Sequence, residues 1–207
     1  MPPQKMLADL VVAIPAWALE AVDALRHLDH DLYFSVHGAT PPAVPVLYAA
    51  RLLSAIGGGF ALFLLPPAWL AARKKSEKTL ESLLYQLLLA VLVTAAVVFL
   101  MKLAVGRTRP CYVLHAGAWC TPPTDPSFPS GHAAGSMAVA VTLGRRSRAA
   151  LPLLFAAIGV AWSRVVLGVH FPSDVLAGAA LGAALAWVID ARWNRPRATF
   201  GNRPFSG

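Results

Sequence analysis

The sequence predicts an all-α fold, a polytopic bundle of transmembrane helices, and three observations carry that prediction. Of the 207 residues, 57% are hydrophobic and 14% are charged, and the mean hydropathy is +0.59, a profile of one integral-membrane domain rather than a soluble one. The apolar residues fall in runs near the ~20 residues that cross a bilayer as a helix. The basic residues, which give a formal net charge of +8, gather in short groups between those runs, as topology signals do. That dispersal argues against nucleic acid as a partner, which would need one solvated basic patch. A single membrane domain over 1–207 is expected, with an N-terminal segment and loop over 1–46, a helical core over 47–193 and a basic tail over 194–207.

The uncharged run between Asp9 and Glu20 is too short to span alone; it either lies in the interface or spans with its acids at the two edges. It does not resemble a cleavable signal peptide. Arg26–Pro45, with His27, His30, His37 and several prolines, reads as a short interfacial piece and a loop. Leu52–Ala72 is the first clear span, with Gly57–Gly59 for close helix approach and Pro66-Pro67 to kink it. After the basic loop Arg73–Lys78, Ser82–Met101 is long enough to cross unaided. Lys102–Gly131 is a polar loop. Ala133–Gly144, Ala149–Ser163 and Val175–Ile189 are shorter apolar runs, which reach full length only by taking His132, Arg164 or Asp174 as helix-end residues. Five spans follow, with a candidate sixth at the N-terminus.

Positive-inside counting places the loop at 73–78, the Arg145–Arg148 loop and the C-terminal tail together on the cytoplasmic side. The loop 102–131 and the turn around His170–Asp174 then share the periplasmic or exterior face, which predicts a multi-pass protein of the cell (inner) membrane. That outer face carries Lys102, Arg107, Arg109 and Arg164, while the only acids from Ser82 to Asp174 are Asp125 and Asp174. An anionic ligand is the natural counter-charge, and arginine forks with a lysine point charge suit phosphate oxygens. Ser130 stands where a helix N-cap is preferred, Gly131 lets a ligand approach backbone, and His132 falls in the first turn, at an anion-binding helix end. His170 and Asp174 supply a reactive pair, a histidine whose far ring nitrogen is fixed by a carboxylate. Pro172 makes an unbroken helix between them unfavourable, so a turn must bring them together.

Lys102-x6-Arg109-Pro110, then Pro129-Ser130-Gly131-His132, then Ser163-Arg164-x5-His170-x3-Asp174 resembles the full three-part signature of the type 2 phosphatidic acid phosphatase superfamily, in order and without departure at any signature position. The resemblance implies a membrane-embedded phosphatase acting on a lipid phosphomonoester or diphosphate. His170 would be the nucleophile that becomes phosphohistidine, Asp174 its orienting carboxylate and His132 the general acid. Lys102, Arg109 and Arg164 would bind phosphoryl oxygens with Ser130 and the Gly131 N–H. No metal or cofactor is implied, and a membrane lipid is the implied partner. By family analogy undecaprenyl diphosphate is favoured; phosphatidylglycerol phosphate, phosphatidic acid, a lipid phosphotransferase and a non-enzymatic membrane protein are the alternatives.

Other residues read more plainly. Arg107 either touches substrate or is a solvated loop charge, Asp125 caps or turns a loop, and Ser163 packs or else hydrogen-bonds the pocket. His27, His30, His37 and His115 are structural histidines. Cys111 and Cys120 lie in the outer loop, where an oxidising compartment permits a disulfide. Trp119 and Trp162 suit an interfacial aromatic belt. The Gly/Ala-rich run Ala177–Ala184 is a tight helix-packing face.

Overall fold

The computed structural model describes residues 15–38, 40–57, 78–114, 123–147 and 150–194, and these contain helices and no strands. The helices are α1 (Ala16–His37), α2 (Val44–Ala55), α3 (Lys78–Val105), α4 (Pro110–Val113), α5 (Gly131–Gly144), α6 (Ala150–Val166) and α7 (Pro172–Trp193). The all-α class is as expected. Two stretches are long and apolar enough to cross a membrane, Lys78–Val113 and Pro172–Trp193, and Val44–Ala55 and Ala150–Val166 are shorter apolar helices. Five spans are not all visible, because most of the expected span Leu52–Ala72 lies outside the described residues. Large apolar side chains such as Leu92, Phe99, Leu103, Leu151, Phe155, Leu176 and Trp187 are exposed on α3, α6 and α7, a surface suited to lipid.

Of the short interfacial piece and loop expected over 26–45, the loop is corrected to a shorter one, Gly38 and 40–43 being the non-helical part among the described residues. α1 continues to His37 because no proline or glycine interrupts it, and it stops at Gly38, whose φ of 77° only glycine adopts freely and whose N–H reaches the Phe34 carbonyl. Its buried residues Asp29, Tyr33 and His37 recur every four positions and form one stripe. Tyr33 joins Ala133, Val165, Phe171 and Val175 in the core. His37 Nδ1 lies 2.9 Å from the Val166 carbonyl, and His30 stacks on Phe171, so these histidines are structural, as read.

At the centre stands α5, packed on α3, α6 and α7. The glycine stripe of α7 makes this possible. A Cβ on Gly178 would fall 2.4 Å from the Ser130 carbonyl oxygen, and one on Gly182 would fall 2.0 Å from that of Ala134. Backbone-to-backbone approach of this kind tolerates only glycine. It lets the Ser130 N–H donate to the Asp174 carbonyl at 2.9 Å, which ties the start of α5 to the start of α7. At the opposite end, Asp190 accepts from Gln86 (2.9 Å), Arg145 (2.6 Å), Arg146 (3.2 Å) and Asn194 (2.8 Å). Thus two of the basic loop residues are also partners of a buried carboxylate, whose charge needs such donors.

Candidate active site

Three helix ends and one loop build the site. Lys102 lies in the last turn of α3, inside the helix rather than at the start of a loop, because the break comes only at Gly106 with its φ of 62°. Lys102 and Arg109 are both buried, and both reach one carboxylate. Asp125 Oδ2 is 2.7 Å from Lys102 Nζ, and its Oδ1 is 2.8 Å from Arg109 Nη2. Asp125 is therefore a counter-ion for two cations, a correction to its reading as a plain turn residue. Partial burial would raise its pKa, yet the Lys102 and Arg109 charges outweigh that and hold the carboxyl below the usual range. Arg109 also donates to the Val169 carbonyl at 2.8 Å and lies 3.1 Å from His170 Nε2.

His170 follows the reversal at Gly168, which has a φ of 71°, and is 2% exposed. Asp174 sits in the first turn of α7, where Pro172 is accommodated at the helix start. The turn thus brings the pair together as expected: His170 Nδ1 is 3.6 Å from Asp174 Oδ2. That separation is too long for a hydrogen bond. Asp174 instead accepts from Ser127 Oγ at 2.5 Å and from the Phe171 N–H at 2.9 Å on Oδ2, and from Arg107 Nη1 at 2.7 Å on Oδ1. Burial, with the Arg109 and Arg164 charges beside it, pushes the His170 imidazole down to about 4, against the raising pull of Asp174.

The reading of Arg107 as a solvated loop charge is replaced. Besides Asp174, its guanidinium donates to Ser173 at 2.7 Å and to Asp29 at 2.6 Å, and it lies 4.2 Å over the Phe171 ring. Asp29 in turn accepts from the Ser173 N–H at 2.9 Å and hydroxyl at 2.6 Å. Through these contacts α1 reaches the carboxylate that faces His170.

Ser130 is the N-cap of α5, with its Oγ 3.5 Å from the Ala133 N–H, and Gly131 opens the helix. His132 is next, near enough to Arg164, His170, Arg109 and Asp125 for their charges to act on it. Arg164 is taken into α6, which runs past Ser163 to Val166. It is 6% exposed, it donates to Ser54 Oγ of α2, and its Nε has no hydrogen-bond partner among the described residues. Ser163 closes onto the Val160 carbonyl at 2.6 Å, which fits a packing role. Beside Lys102, Gly131 and His132 opens a cavity of about 280 Å³ lined mainly by α3, with Val91, Thr94, Val98 and Phe99 among its walls. A larger crevice of about 680 Å³ lies between α1 and α7 on the side of Asp29 and Arg107, away from both histidines. Cys111 is disulfide-bonded, and the other cysteine, Cys120, lies outside the described residues, as do His115 and Trp119.

Residues 83–197, more than half of the chain, match the profile of the PAP2 superfamily. The chain belongs to that family. The decaprenylphosphoryl-5-phosphoribose phosphatase of Mycobacterium tuberculosis is 40% identical over 99 residues, which are 48% of this chain and 55% of that protein. This PAP2 chain therefore spans about half the length of that relative. The lipid A 1-phosphatase of Rhizobium johnstonii is 29% identical over an alignment covering 88% of this chain and 79% of that protein. A transmembrane PAP2-type phosphatidylglycerolphosphate phosphatase from Bacillus subtilis superposes with a TM-score of 0.71 at 22% identity, over 85% of this chain and 89% of that one. LpxE of Aquifex aeolicus gives 0.67 at 23% identity, over 79% and 95%. At these identities the two structures share the fold.

Around the signature positions of this PAP2 chain, the structure adds pairings that the sequence reading did not assign, since Arg107 figures there only as a substrate contact or a solvated charge. Asp29, Ser54, Arg107, Asp125 and Ser127 each bond directly to a signature residue or, for Asp29, to Arg107. A signal existed for one of them: Asp125 and Asp174 are the only acids set against the outer-face cations, so a pairing was implied by charge count.

Proposed function

We propose that this chain is a membrane lipid phosphatase that hydrolyses a lipid phosphomonoester or diphosphate through a phosphohistidine at His170. The observation that carries the reading is the seat of Asp125. Its carboxylate bridges Lys102 and Arg109 next to the His170 Nε2 that Arg109 also contacts, and the Nε of buried Arg164 has no partner among the described residues. The phosphoryl group takes the place of that carboxylate. Lys102, Arg109 and Arg164 then neutralise its oxygens, aided by the Gly131 N–H at the start of α5, while Ser130 holds the helix end in place. Three cations fixed in advance supply the charge stabilisation that phosphoryl transfer chiefly needs, so the reading requires no metal.

With its pKa near 4, His170 is neutral at pH 7, and its Nε2 lone pair, which accepts from Arg109 in the resting site, attacks phosphorus once the phosphoryl oxygens draw that guanidinium to themselves. As the Nε2–P bond forms, the ester or anhydride P–O bond breaks, and His132, which takes up a proton from solvent when the anionic substrate offsets the cations around it, gives that proton to the leaving oxygen. Water then attacks phosphorus and Nε2 leaves, with His132 accepting the water proton. Asp174 stabilises the positive charge that the ring carries in between.

The headgroup pocket at one end of the bundle, beside a cavity walled by apolar residues of α3, suits a substrate whose chain stays in the bilayer. Undecaprenyl diphosphate leads the candidates. The relatives named for a decaprenyl-linked substrate and for undecaprenyl diphosphate favour a polyprenyl chain, and lipid A supplies the second class to test. We place the site on the periplasmic or exterior face and the C-terminus in the cytoplasm, with five spans. α1 lies along the membrane edge, since it exposes Glu20, Asp23, Arg26 and Asp31, which the bilayer interior disfavours. The catalytic unit then extends beyond 47–193 to include α1 through Asp29. The test is phosphate release by detergent-purified protein from undecaprenyl diphosphate, lipid A, phosphatidylglycerol phosphate, phosphatidic acid and a soluble phosphomonoester, each with EDTA. Release from at least one lipid that survives EDTA is expected; release from the soluble ester alone would refute the lipid assignment.

Two further outcomes are expected. Asp125→Asn removes the internal competitor, so vanadate and inorganic phosphate should inhibit about 5- to 10-fold more tightly, the scale of a part-exposed ion pair. Weaker inhibition than wild type would contradict the stand-in role. The kcat/KM profile should hold as pH falls below the ordinary imidazole value of 6.5 and collapse only near pH 4, where His170 gains a proton at Nε2 and can no longer attack. An acid limb at 6.5 assigned to His170 would count against it.

A further inference from the structure

A nucleophilic histidine works in only one tautomer, with the proton on the ring nitrogen that does not attack. In the simplest arrangement the partner carboxylate fixes that tautomer by accepting directly from Nδ1. Here it does not, since His170 Nδ1 and Asp174 Oδ2 are 3.6 Å apart. Ser127 fills the gap, with its Oγ 2.5 Å from Asp174 Oδ2 and 3.3 Å from His170 Nδ1. The serine is 0% exposed, and its backbone N–H is held by the Arg107 carbonyl at 2.7 Å. A hydroxyl has one proton to donate and two lone pairs to offer. The 2.5 Å contact commits that proton to the ionised carboxylate, the shorter and charge-assisted bond. What faces Nδ1 is then a lone pair, so Nδ1 must carry hydrogen. The other side of the ring agrees: Arg109, which can only donate, lies 3.1 Å from Nε2, so Nε2 must be the acceptor.

Resting on the phosphohistidine reading above, we propose that Ser127 is the positioning residue that couples Asp174 to His170 and holds the ring in its Nδ1–H tautomer. When Nε2 bonds to phosphorus, the Nδ1 proton stays in place, donated to Ser127 Oγ, while Ser127 continues to donate to Asp174. The positive charge of the ring is thus passed to the carboxylate by polarisation of one hydroxyl, with no net proton transfer. When Nε2 leaves phosphorus, the ring returns to the same neutral tautomer. Asp174 already has Arg107 and the Phe171 N–H as donors, so Ser127 is not required merely to satisfy it.

The experiment has two arms. In the first, kcat and KM for lipid-phosphate release are compared between wild type and Ser127→Ala, with the melting temperature in detergent measured alongside. The expected result is a fall in kcat of about 50-fold with KM within about 3-fold, the pattern of a lost transition-state contact. In the second, nitrogen NMR of protein labelled at histidine reads the His170 tautomer, assigned by its absence in His170→Ala. Wild type should show hydrogen on Nδ1 and a lone pair on Nε2 at neutral pH, and Ser127→Ala should show a mixture. The wild-type reading requires neither a folded Ser127→Ala nor a known substrate. If no lipid is hydrolysed but the tautomer depends on Ser127, the phosphatase reading fails and the coupling stands. Hydrogen on Nε2 in wild type, or an unchanged kcat and tautomer in Ser127→Ala, would overturn the proposal.

Discussion

His170→Ala is expected to abolish lipid-phosphate turnover, with a loss of at least ~10⁴-fold in kcat, since removing a nucleophile leaves only the binding and charge-stabilising parts of a site. No other described side chain can take over. His132 stands at the start of α5 among the same cations, but it has no carboxylate partner comparable to Asp174, and an imidazole without one lacks a fixed tautomer. The loss should fall on the first chemical step. Single-turnover assays should therefore find neither released phosphate nor labelled protein, while vanadate binding through Lys102, Arg109 and Arg164 persists. Turnover within about 10-fold of wild type would remove the nucleophile from the account.

Asp174→Asn should follow, with a fall of roughly 10³–10⁴-fold in kcat. The reason lies in the donor count. The two oxygens of Asp174 accept from Arg107 on one side and from Ser127 and Phe171 N–H on the other. An amide has one oxygen, so whichever way it turns, its NH₂ faces a donor, and a buried donor left without an acceptor is costly. Arg107→Ala reaches His170 only through Asp174 Oδ1, its other bonds being to Ser173 and Asp29, and should cost less, about 10- to 100-fold, whereas Arg109→Ala strips contacts to Val169, His170 and Asp125 together and should cost more. A ranking with Arg107 above Arg109 would show that the Oδ1 contact matters more than the phosphate cradle.

The signature residues were legible in the sequence because each is set by local spacing. Lys102 and Arg109 flank one helix end, Ser130 to His132 open another, and His170 and Asp174 sit either side of a proline that forces a turn. Helix class and the glycine packing face at Gly178 and Gly182 were equally local, being matters of period and residue size. What escaped was long-range pairing. Asp29 meets Ser173 across 144 positions, and nothing near Asp29 distinguishes it from Asp23 or Asp31. Its meaning lies in a stripe with Tyr33 and His37 that emerges only once α1 is seen to continue to Gly38. The prolines that suggested a loop there all lie beyond that glycine. Ser54 escaped for a similar reason, since an uncharged serine inside an apolar run is ordinary packing until Arg164 is found beside it. Asp125 was visible as charge but not as geometry: its two ion pairs depend on where the loop from Pro123 to Pro129 folds back over α3.

The most direct measurement is a chemical trap of the intermediate. Protein mixed with a lipid diphosphate or monophosphate carrying radiolabelled phosphorus is quenched in base within one turnover, and the labelled peptide is mapped. The account predicts label that is stable to base, lost in acid, located on His170, and absent from His170→Ala. Phosphate release at the wild-type rate with no such label, or with label on another residue, would contradict it.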